Sequence, residues 1–297
     1  MTQDIFSEIP LRTWRWLGVN EALLPEELQQ VPNDLSNKNT QSFPEKLPWE
    51  MPEQISVPAG ETVEKIFVFR SEQVTNIRAE VARGGTLNLI CIQLLPTDKA
   101  YAGKVLVTAG EKAKINYTAV EVGAVHTLTN LQIELDGNGS AADVAAVYFG
   151  DADRRLDLNY VITHRGTDTD ADMQVRGVLQ DASDKIFRGT LDFRQGSRGS
   201  VGREKEEVIL LNEGIRNRSV PLMLAQEDAV NGQHAVSAGH MDRDKLFYLM
   251  SRGLDEKEAR KLAVDALFAT VLERIPNADL REEISREVEE RIEHGQR

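Results

Sequence analysis

The stretches AGETVEKIFV (residues 59–68), RGGTLNLICI (83–92) and AGEKAKINYT (109–118) repeat one pattern: a glycine, one or two polar residues and an alternating strand. Their glycines at positions 60, 84 and 110 are 24 and 26 residues apart, and a looser copy begins at Gly137. A period of about 25 residues is typical of one coil in a solenoid, where each coil buries its apolar face against its neighbours. The pattern predicts strands at residues 63–69, 87–93, 105–108, 115–120, 128–135 and 156–163.

The repeat fits two architectures. An antiparallel β-sandwich also places a strand every 8–12 residues or so, roughly the spacing found here. Glycine suits the corners of either fold, because it tolerates a positive φ and a close approach of two backbones. The repeat by itself therefore leaves both the solenoid and the sandwich open.

Composition narrows the classes of function. The chain has 48 acidic and 35 basic residues among 297, and a surface with a formal net charge of −13 repels nucleic acid. The first residues do not form a basic start before an apolar run, as a secretory signal would. No apolar stretch reaches the roughly 20 residues that a bilayer span needs. We therefore expect a cytoplasmic protein with neither a nucleic-acid nor a membrane partner.

The two ends of the chain depart from the repeat. Near the N-terminus, Trp14, Trp16 and Leu17 are expected to anchor a short helix, and residues 31–52 have the composition of a linker or an extended arm. From residue 241 onward the periodicity becomes helical.

Three helices are predicted in this C-terminal part. Asp242 is a plausible N-cap of the first, and Asp255 with Glu258 has the spacing of a capping box for the second. The second helix is expected to bury one stripe, formed by Ala259, Leu262, Ala263, Ala266, Leu267, Val271 and Leu272. The third has only a thin stripe and is expected to dock weakly, through Leu280, Ile284, Val288 and Ile292.

The stretch VPLMLAQEDAVNGQHAVSAGHMDRDKLFYLMSRG, residues 220–253, resembles the C-terminal signature of the SufB/SufD family. Members of this family are the paired scaffold subunits of the SUF machine for iron–sulfur cluster assembly. The similar pieces are ED-V at residues 227–230, a lone histidine before A-x-S-x-G, an acidic helix start, and LFYLMSRG at residues 246–253. Residues 10–21 also resemble the opening of short SufD-like chains.

The resemblance implies a mainly β fold, a right-handed parallel β-helix, and so favours the solenoid over the sandwich. It also divides the chain into three parts. These are an N-terminal helical or extended arm at residues 1–54, the β-helix core at 55–240 and a helical, ATPase-docking region at 241–297.

His234 is the residue that the resemblance assigns to cluster chemistry. In SufD-like proteins a histidine at this place faces the SufB partner near the proposed site of cluster assembly. Imidazole ligates iron in mixed His/Cys clusters, but one histidine cannot hold a cluster. The resemblance therefore implies no stably bound cofactor and at most a transient iron–sulfur cluster shared with a partner. Where some relatives carry cysteine, this chain has Gly232, so a hydrogen-bonded interface histidine is the alternative role.

The resemblance also implies two kinds of partner. The helical tail would hold a SufC-type ABC ATPase, although its apolar stripe could instead cap the last coil; the candidate residues are Leu246, Phe247, Tyr248, Leu249 and Arg252. A second copy or a SufB-like chain would pair with the last strands, and the residues expected at that interface are Val220, Leu222, Leu224, Val230, His234 and Val236.

Other motifs have simpler explanations. His240 is expected only to precede the helix cap, and the G-x-G-x-x-A string that begins at Gly137 is expected to be a tight turn. Cys91, the one cysteine, is expected to be a buried and inert thiol. Three alternating carboxylates could hold a hard cation, but more commonly form a solvated row on a strand; they are Asp168, Asp170 and Asp172.

These observations together predict a non-enzymatic scaffold. The glycine-rich run at residues 196–204 lacks the Lys-Ser/Thr of a phosphate-binding loop, so ATP hydrolysis is assigned to the partner ATPase. Two alternatives remain open. One is a carbohydrate-active β-helix enzyme, and the other is an ATPase-docking scaffold that has lost cluster chemistry.

Overall fold

The computed structural model describes residues 5–13, 15–25, 28, 52–71 and 73–295. Within these residues, sixteen strands and three α-helices follow one another along the chain. The strands are β1 (Ile5–Glu8), β2 (Glu21–Leu23), β3 (Glu53–Val57), β4 (Thr62–Phe69), β5 (Gln73–Val81), β6 (Thr86–Gln93), β7 (Ala100–Ala109), β8 (Lys114–Glu121), β9 (His126–Leu135), β10 (Ala141–Gly150), β11 (Arg155–His164), β12 (Asp170–Leu179), β13 (Asp184–Phe193), β14 (Val201–Leu210), β15 (Arg216–Ala225) and β16 (Asn231–His240). The helices are α1 (Arg243–Ser251), α2 (Glu256–Leu272) and α3 (Ala278–His294).

Successive strands from β3 to β16 alternate between two seven-stranded parallel sheets. The even-numbered sheet has the order β16-β14-β12-β10-β8-β6-β4, and the odd-numbered sheet has the order β15-β13-β11-β9-β7-β5-β3. This arrangement confirms the parallel β-solenoid and excludes the antiparallel sandwich. Each of the six strands predicted from the repeat lies within an observed strand: β4, β6, β7, β8, β9 or β11.

The solenoid interior is filled by alternate residues of both sheets. In β10, Val144 and Ala146 belong to the interior core, whereas Val147 and Phe149 belong to a second core outside the sheet. Successive side chains of a strand point to opposite faces, so β10 is buried on both sides. A strand buried on both sides has an almost continuous apolar sequence, as residues 144–149 do.

The coil corners use glycine in two different ways. Gly84 has a positive φ, and its N–H donates to the carbonyl of Glu111 in the next coil at 2.8 Å. Gly110 is not the positive-φ residue of its coil, although the repeat aligned it with Gly84. It lies against Gly137, where an added Cβ would be 2.0 Å from the Glu111 nitrogen. The positive-φ residues of this corner are 24 to 31 residues apart, so the coils differ in length: Gly60, Gly84, Lys112, Gly139, Asp168 and Gly199.

Glu121, at the end of β8, is a carboxylate sealed inside the solenoid. Its Oε1 accepts a hydrogen bond from Thr129 Oγ1 at 2.7 Å, and its Oε2 has no partner among the described residues. Burial raises the pKa of Glu121 from its ordinary 4.5 to about 7, and the hydrogen bond from Thr129 offsets only part of this. The folded protein therefore keeps a proton on Glu121 at pH values where the unfolded chain has released it.

We expect Glu121→Gln to remove one component of the pH dependence of stability. A carboxyl whose pKa is raised by folding favours the folded state most below pH 4.5, and this contribution is lost as the pH rises to about 7. The loss is on the order of 3 kcal/mol. Urea denaturation between about pH 4 and about pH 8 should therefore give a free energy of unfolding that falls less for the variant than for the wild type. Parallel pH curves would show that Glu121 ionises normally in the fold.

The C-terminal helices pack along the outer face of the even-numbered sheet. The capping box of α2 is present, because Glu258 N–H donates to Asp255 Oδ1 and Asp255 N–H donates to Glu258 Oε2, each at 2.8 Å. The predicted stripe of α2 is partly wrong. Leu262 is exposed, whereas Val264 and Phe268 are buried.

The prediction of weak docking for α3 is also wrong. The four residues of its thin stripe are all buried in the core outside the sheet, together with outward residues of β6, β8, β10 and β12: Leu280, Ile284, Val288 and Ile292. A narrow stripe suffices here because α3 meets an already apolar sheet face. The sequence of the helix alone does not show this partner surface.

The N-terminal segment lies on the outer face of the odd-numbered sheet. The buried Arg188 of β13 donates from Nε to the carbonyl oxygen of Val19 at 2.5 Å, and from Nη2 to Asp157 Oδ2 at 2.8 Å. The predicted short helix is present as a 3-10 helix, Arg15–Leu17. Trp16 is 79% exposed and Leu17 is also exposed, so these two residues do not anchor it. Trp14 and the linker at residues 31–51 lie outside the described residues.

Candidate functional site

The last coil leaves one end of the solenoid open. In the two large sheets, β15 and β16 each have a neighbour on one side only, and both are ten residues long. The first coil is open in the same way at β3 and β4, but β3 has only five residues. Long edge strands present rows of unpaired backbone groups that can pair with another chain.

The two free edges at this end differ in their hydrogen-bonding capacity. Asn231 N–H donates to Ser200 O in the β14 ladder at 2.9 Å. Because a parallel ladder uses every second residue of a strand, the N–H groups of His234 and Val236 point to the free edge. In β15 the ladder to β13 begins with Arg216 N–H, so Pro221 falls at a position that faces the free edge. Proline has no N–H to offer there. The free edge of β16 therefore presents the more complete row of backbone N–H groups.

The predicted interface residues divide between two faces. Val220, Leu222 and Leu224 pair with Arg188, Thr190 and Asp192 of β13, so they lie on the outer face of the odd-numbered sheet. All three are half-buried. They adjoin the free edge of β15 but do not line the interior.

His234 and Val236, in contrast, lie on the inward face of β16. In register they pair with Glu204 and Glu206 of β14. Both are exposed, Val236 by 41%, because no further coil covers them. Val230, in the turn before β16, packs against the interior core. The open end thus exposes an imidazole directly above two interior carboxylates.

The two carboxylates beneath this end differ in their partners. Glu206 Oε1 accepts hydrogen bonds from Lys185 Nζ at 2.5 Å and from Tyr148 Oη at 2.9 Å. The oxygens of Glu204 have no hydrogen-bond partner among the described residues, although the side chain is buried. One carboxylate is therefore neutralised by a cation and the other is not.

The pKa values in this cluster follow from burial. Desolvation and the nearby charge of Glu206 raise the pKa of Glu204 from 4.5 to about 8. Desolvation lowers the pKa of Lys185, and Glu206 opposes that shift. Burial also lowers the pKa of His164 to about 4. The His164 ring stacks on that of Phe193 in the neighbouring coil. The interior near the open end thus contains two carboxyl groups, a lysine and a histidine.

A second exposed surface lies on α1, which follows β16 directly. Phe247 is 74% exposed and Tyr248 is also exposed, while Leu246 and Leu249 are half-buried. The guanidinium of Arg252 lies 5.2 Å from the centre of the Tyr248 ring. A groove of about 740 Å³ runs between α1, α2 and the end of β14 and β16, and its lining includes Leu246, Tyr248, Leu249, Leu262 and Leu267.

The remaining candidate residues have structural roles. Asp168 belongs to a corner, so the predicted row of three carboxylates on one strand face is wrong. The other two, Asp170 and Asp172, both pair with Arg203, at 2.6 and 3.3 Å. Cys91 is buried, and burial raises the pKa of its thiol to about 12.

Two further motifs fall where the sequence places them. The string that begins at Gly137 forms the turn before β10, and His240 is the last residue of β16. Asp242 then caps α1, since its Oδ1 accepts a hydrogen bond from Asp244 N–H at 2.9 Å.

Sequence reasoning missed Glu204, Glu206 and Lys185. The sequence of β14, VGREKEEVIL, has charged residues on both faces, so its alternation does not show which of them point inward. Pairing with β12 decides this, because Glu204 and Glu206 align with the interior residues Met173 and Val175.

Two parallel sheets, a last coil with free strand edges and a helical tail on one sheet define a β-solenoid protein with one open end. Residues 54–267 match the family model for the SUF system FeS cluster assembly SufBD core domain. The chain therefore belongs to the SufBD core family. Within the described residues, no helix is long and apolar enough to cross a membrane.

Similar curated proteins carry related names. The iron–sulfur cluster assembly protein SufD of Bacillus subtilis is 26% identical over 76% of this chain and 51% of its own length. An iron–sulfur cluster assembly SufBD family protein of Mycobacterium leprae is 24% identical over 73% of the chain and 57% of its own length. One from Mycobacterium bovis is 27% identical over 62% and 48%. The chain thus spans about half the length of these relatives.

Proposed function

We propose that this protein is a non-enzymatic scaffold subunit of SUF-type iron–sulfur cluster assembly. The observation that carries the proposal is the open last coil, where His234 lies on the inward face of β16 and is exposed beside a free strand edge. A second copy or a SufB-like chain pairs with this edge and supplies the other ligands of a transient cluster. Family membership favours this role over a carbohydrate-active enzyme, and the assembly belongs in the cytoplasm.

The proposal gives α1 the task of holding a SufC-type ABC ATPase. An exposed aromatic side chain next to an apolar groove is the usual form of a helix-docking surface. Phe247 projects from α1 and Tyr248 lines the groove beside it. In this proposal ATP hydrolysis takes place in the partner.

A mechanical link joins the two surfaces. Only Met241 and Asp242 separate the end of β16 from the start of α1. β16 is paired on one side only, so a pull on α1 acts directly on an edge strand of the sheet. We infer that closure of two bound ATPases distorts the paired strands and opens or shapes the cluster site at His234.

A scaffold without cluster chemistry is the second candidate, and Gly232 favours it. A side chain at this position would place its Cβ 2.4 Å from Met223 Sδ, so a cysteine there requires Met223 to move. Cys91, the one cysteine of the sequence, lies in β6, so this end has no thiolate of its own. Its only possible thiolate ligands for a cluster are those of a partner.

Co-expression with a SufC-type ATPase and a SufB-like chain tests the proposal. A tag on this protein should retain the ATPase through several purification steps, and a second subunit with it. Purification of the tagged protein alone, from cells that contain all three, would contradict the proposed function.

A further inference from the structure

We propose that Glu204 and His234 form a two-residue binding site for Fe²⁺ at the open end of the solenoid. The inference rests on the proposed function, and it adds a specific ligand and a specific cargo. The remaining coordination positions of the ion belong to water or to the partner subunit. Neither the family match nor the names of the relatives assign a role to Glu204.

The first argument is register. Glu204 and His234 are Cα partners in neighbouring parallel strands, which are about 4.8 Å apart. Both side chains lie on the inward face, because Gly202, Glu204, Glu206 and Val208 alternate toward the interior of β14. An imidazole and a carboxylate held side by side can ligate one ion.

The second argument is that the buried carboxyl of Glu204 has no hydrogen-bond partner among the described residues. The residue is only 3% exposed. Lys185, a buried cation of the same interior, donates instead to Glu206 Oε1, to Ser219 Oγ at 3.1 Å and to the Arg218 carbonyl at 3.2 Å. A buried carboxyl without hydrogen-bond partners is unfavourable. A metal ion that enters from the open end would displace the proton of this carboxyl into solvent and satisfy its oxygens.

The third argument is the space that the fold reserves for this carboxylate. Gly189 of β13 lies across the interior, and an added Cβ there would be 2.1 Å from Glu204 Oε1 and 2.4 Å from its Cδ. Any larger residue would force the carboxylate away. The opposite sheet therefore leaves room for Glu204 to lie across the interior, one coil below His234.

The chemistry of the two donors fits ferrous iron. Carboxylate and imidazole with open positions are the donor set of non-haem Fe²⁺ sites, which bind iron without thiolate. Such a donor set suits this end of the solenoid, because position 232 is glycine and supplies no thiolate. Within the described residues no three His, Cys, Asp or Glu side chains converge on one metal position, so the pair is a half-site that needs water or a partner to complete it.

Anaerobic titration of the full chain with Fe²⁺ tests the inference. We expect one ion per chain for the wild type, and affinity lower by about 10- to 100-fold or more for both His234→Ala and Glu204→Gln. Glu207→Gln is the matched control, because Glu207 belongs to the same strand but lies on its outer face, paired with Lys205. It should bind like the wild type.

A second measurement separates a ligand from a structural residue. Co²⁺ bound in place of Fe²⁺ has an absorption spectrum that depends on its ligands, and Glu204→Gln should change that spectrum. The variant should also melt at or above the wild-type temperature, since it loses an unpaired buried carboxylate. A lower melting temperature with an unchanged Co²⁺ spectrum would give Glu204 a packing role and overturn the inference.

The possible failures are distinguishable. Loss of Fe²⁺ binding in His234→Ala but not in Glu204→Gln would overturn the pair and leave His234 as the ligand. If the wild type bound no Fe²⁺, or if neither substitution mattered, the inference would be wrong. The proposed function would still stand as long as the ATPase and the second subunit co-purified with the tagged protein.

Discussion

Replacing Phe247 by aspartate is expected to abolish co-purification with the SufC-type ATPase. The ring is the most exposed large apolar side chain of α1, and an aromatic anchor of this kind contributes about 2–4 kcal/mol to an interface. A charge at its centre adds the cost of burying a carboxylate. The dissociation constant should rise by about 30-fold to 1,000-fold, which a pull-down with the tagged protein would register as loss of the ATPase.

Trp16→Asp is the matched control for this experiment. Trp16 is another highly exposed aromatic residue, but it lies in the N-terminal segment on the other sheet. Its substitution should leave the ATPase bound. Retention of the ATPase by Phe247→Asp, measured beside this control, would remove α1 from the docking surface.

Replacing Val236 by proline is expected to dissociate the pair of subunits. The N–H of Val236 points to the free edge of β16, so proline removes a group that only a partner strand could use, and it leaves the ladder to β14 in place. Loss of edge pairing and of the inward Val side chain should weaken association by at least about tenfold. Sedimentation velocity of the protein alone and with a SufB-like chain measures this change.

Glu64→Pro controls for the effect of proline itself. Glu64 is exposed on β4, the edge strand at the opposite end, and Thr86 N–H donates to Glu61 O at 2.7 Å, so the Glu64 N–H also faces a free edge. This variant should associate like the wild type. If Glu64→Pro dissociated the pair and Val236→Pro did not, the association surface would lie at the first coil.

The coils were predictable because their signal is local. Each of the first strands alternates between apolar and polar residues after a glycine corner, as in residues 83–92. The choice between solenoid and sandwich was not local, since it depends on which strands pair. The resemblance of residues 220–253 to a known family supplied that choice, and the parallel register of β14 with β16 confirms it.

The interior of the last coils could not be read in the same way. Glu204 and Glu206 belong to a strand with charges on both faces, and only the pairing with β12 directs them inward. The packing of α3 was predicted wrongly for a related reason. Its narrow apolar stripe packs against an apolar sheet face that cannot be inferred from the sequence of the helix alone. Long-range contacts decide both, and these contacts also build the candidate site.

Anaerobic reconstitution with iron and sulfide tests the central claim most directly. Wild-type protein, His234→Ala and the control His240→Ala would each be reconstituted alone and with the partner subunits. If the open end is where a cluster is assembled, His234→Ala should lose most of the iron–sulfur absorbance of the complex, while His240→Ala, six residues along the same strand, should keep it. Equal absorbance for all three proteins in every combination would contradict the assignment of cluster assembly to this end of the solenoid.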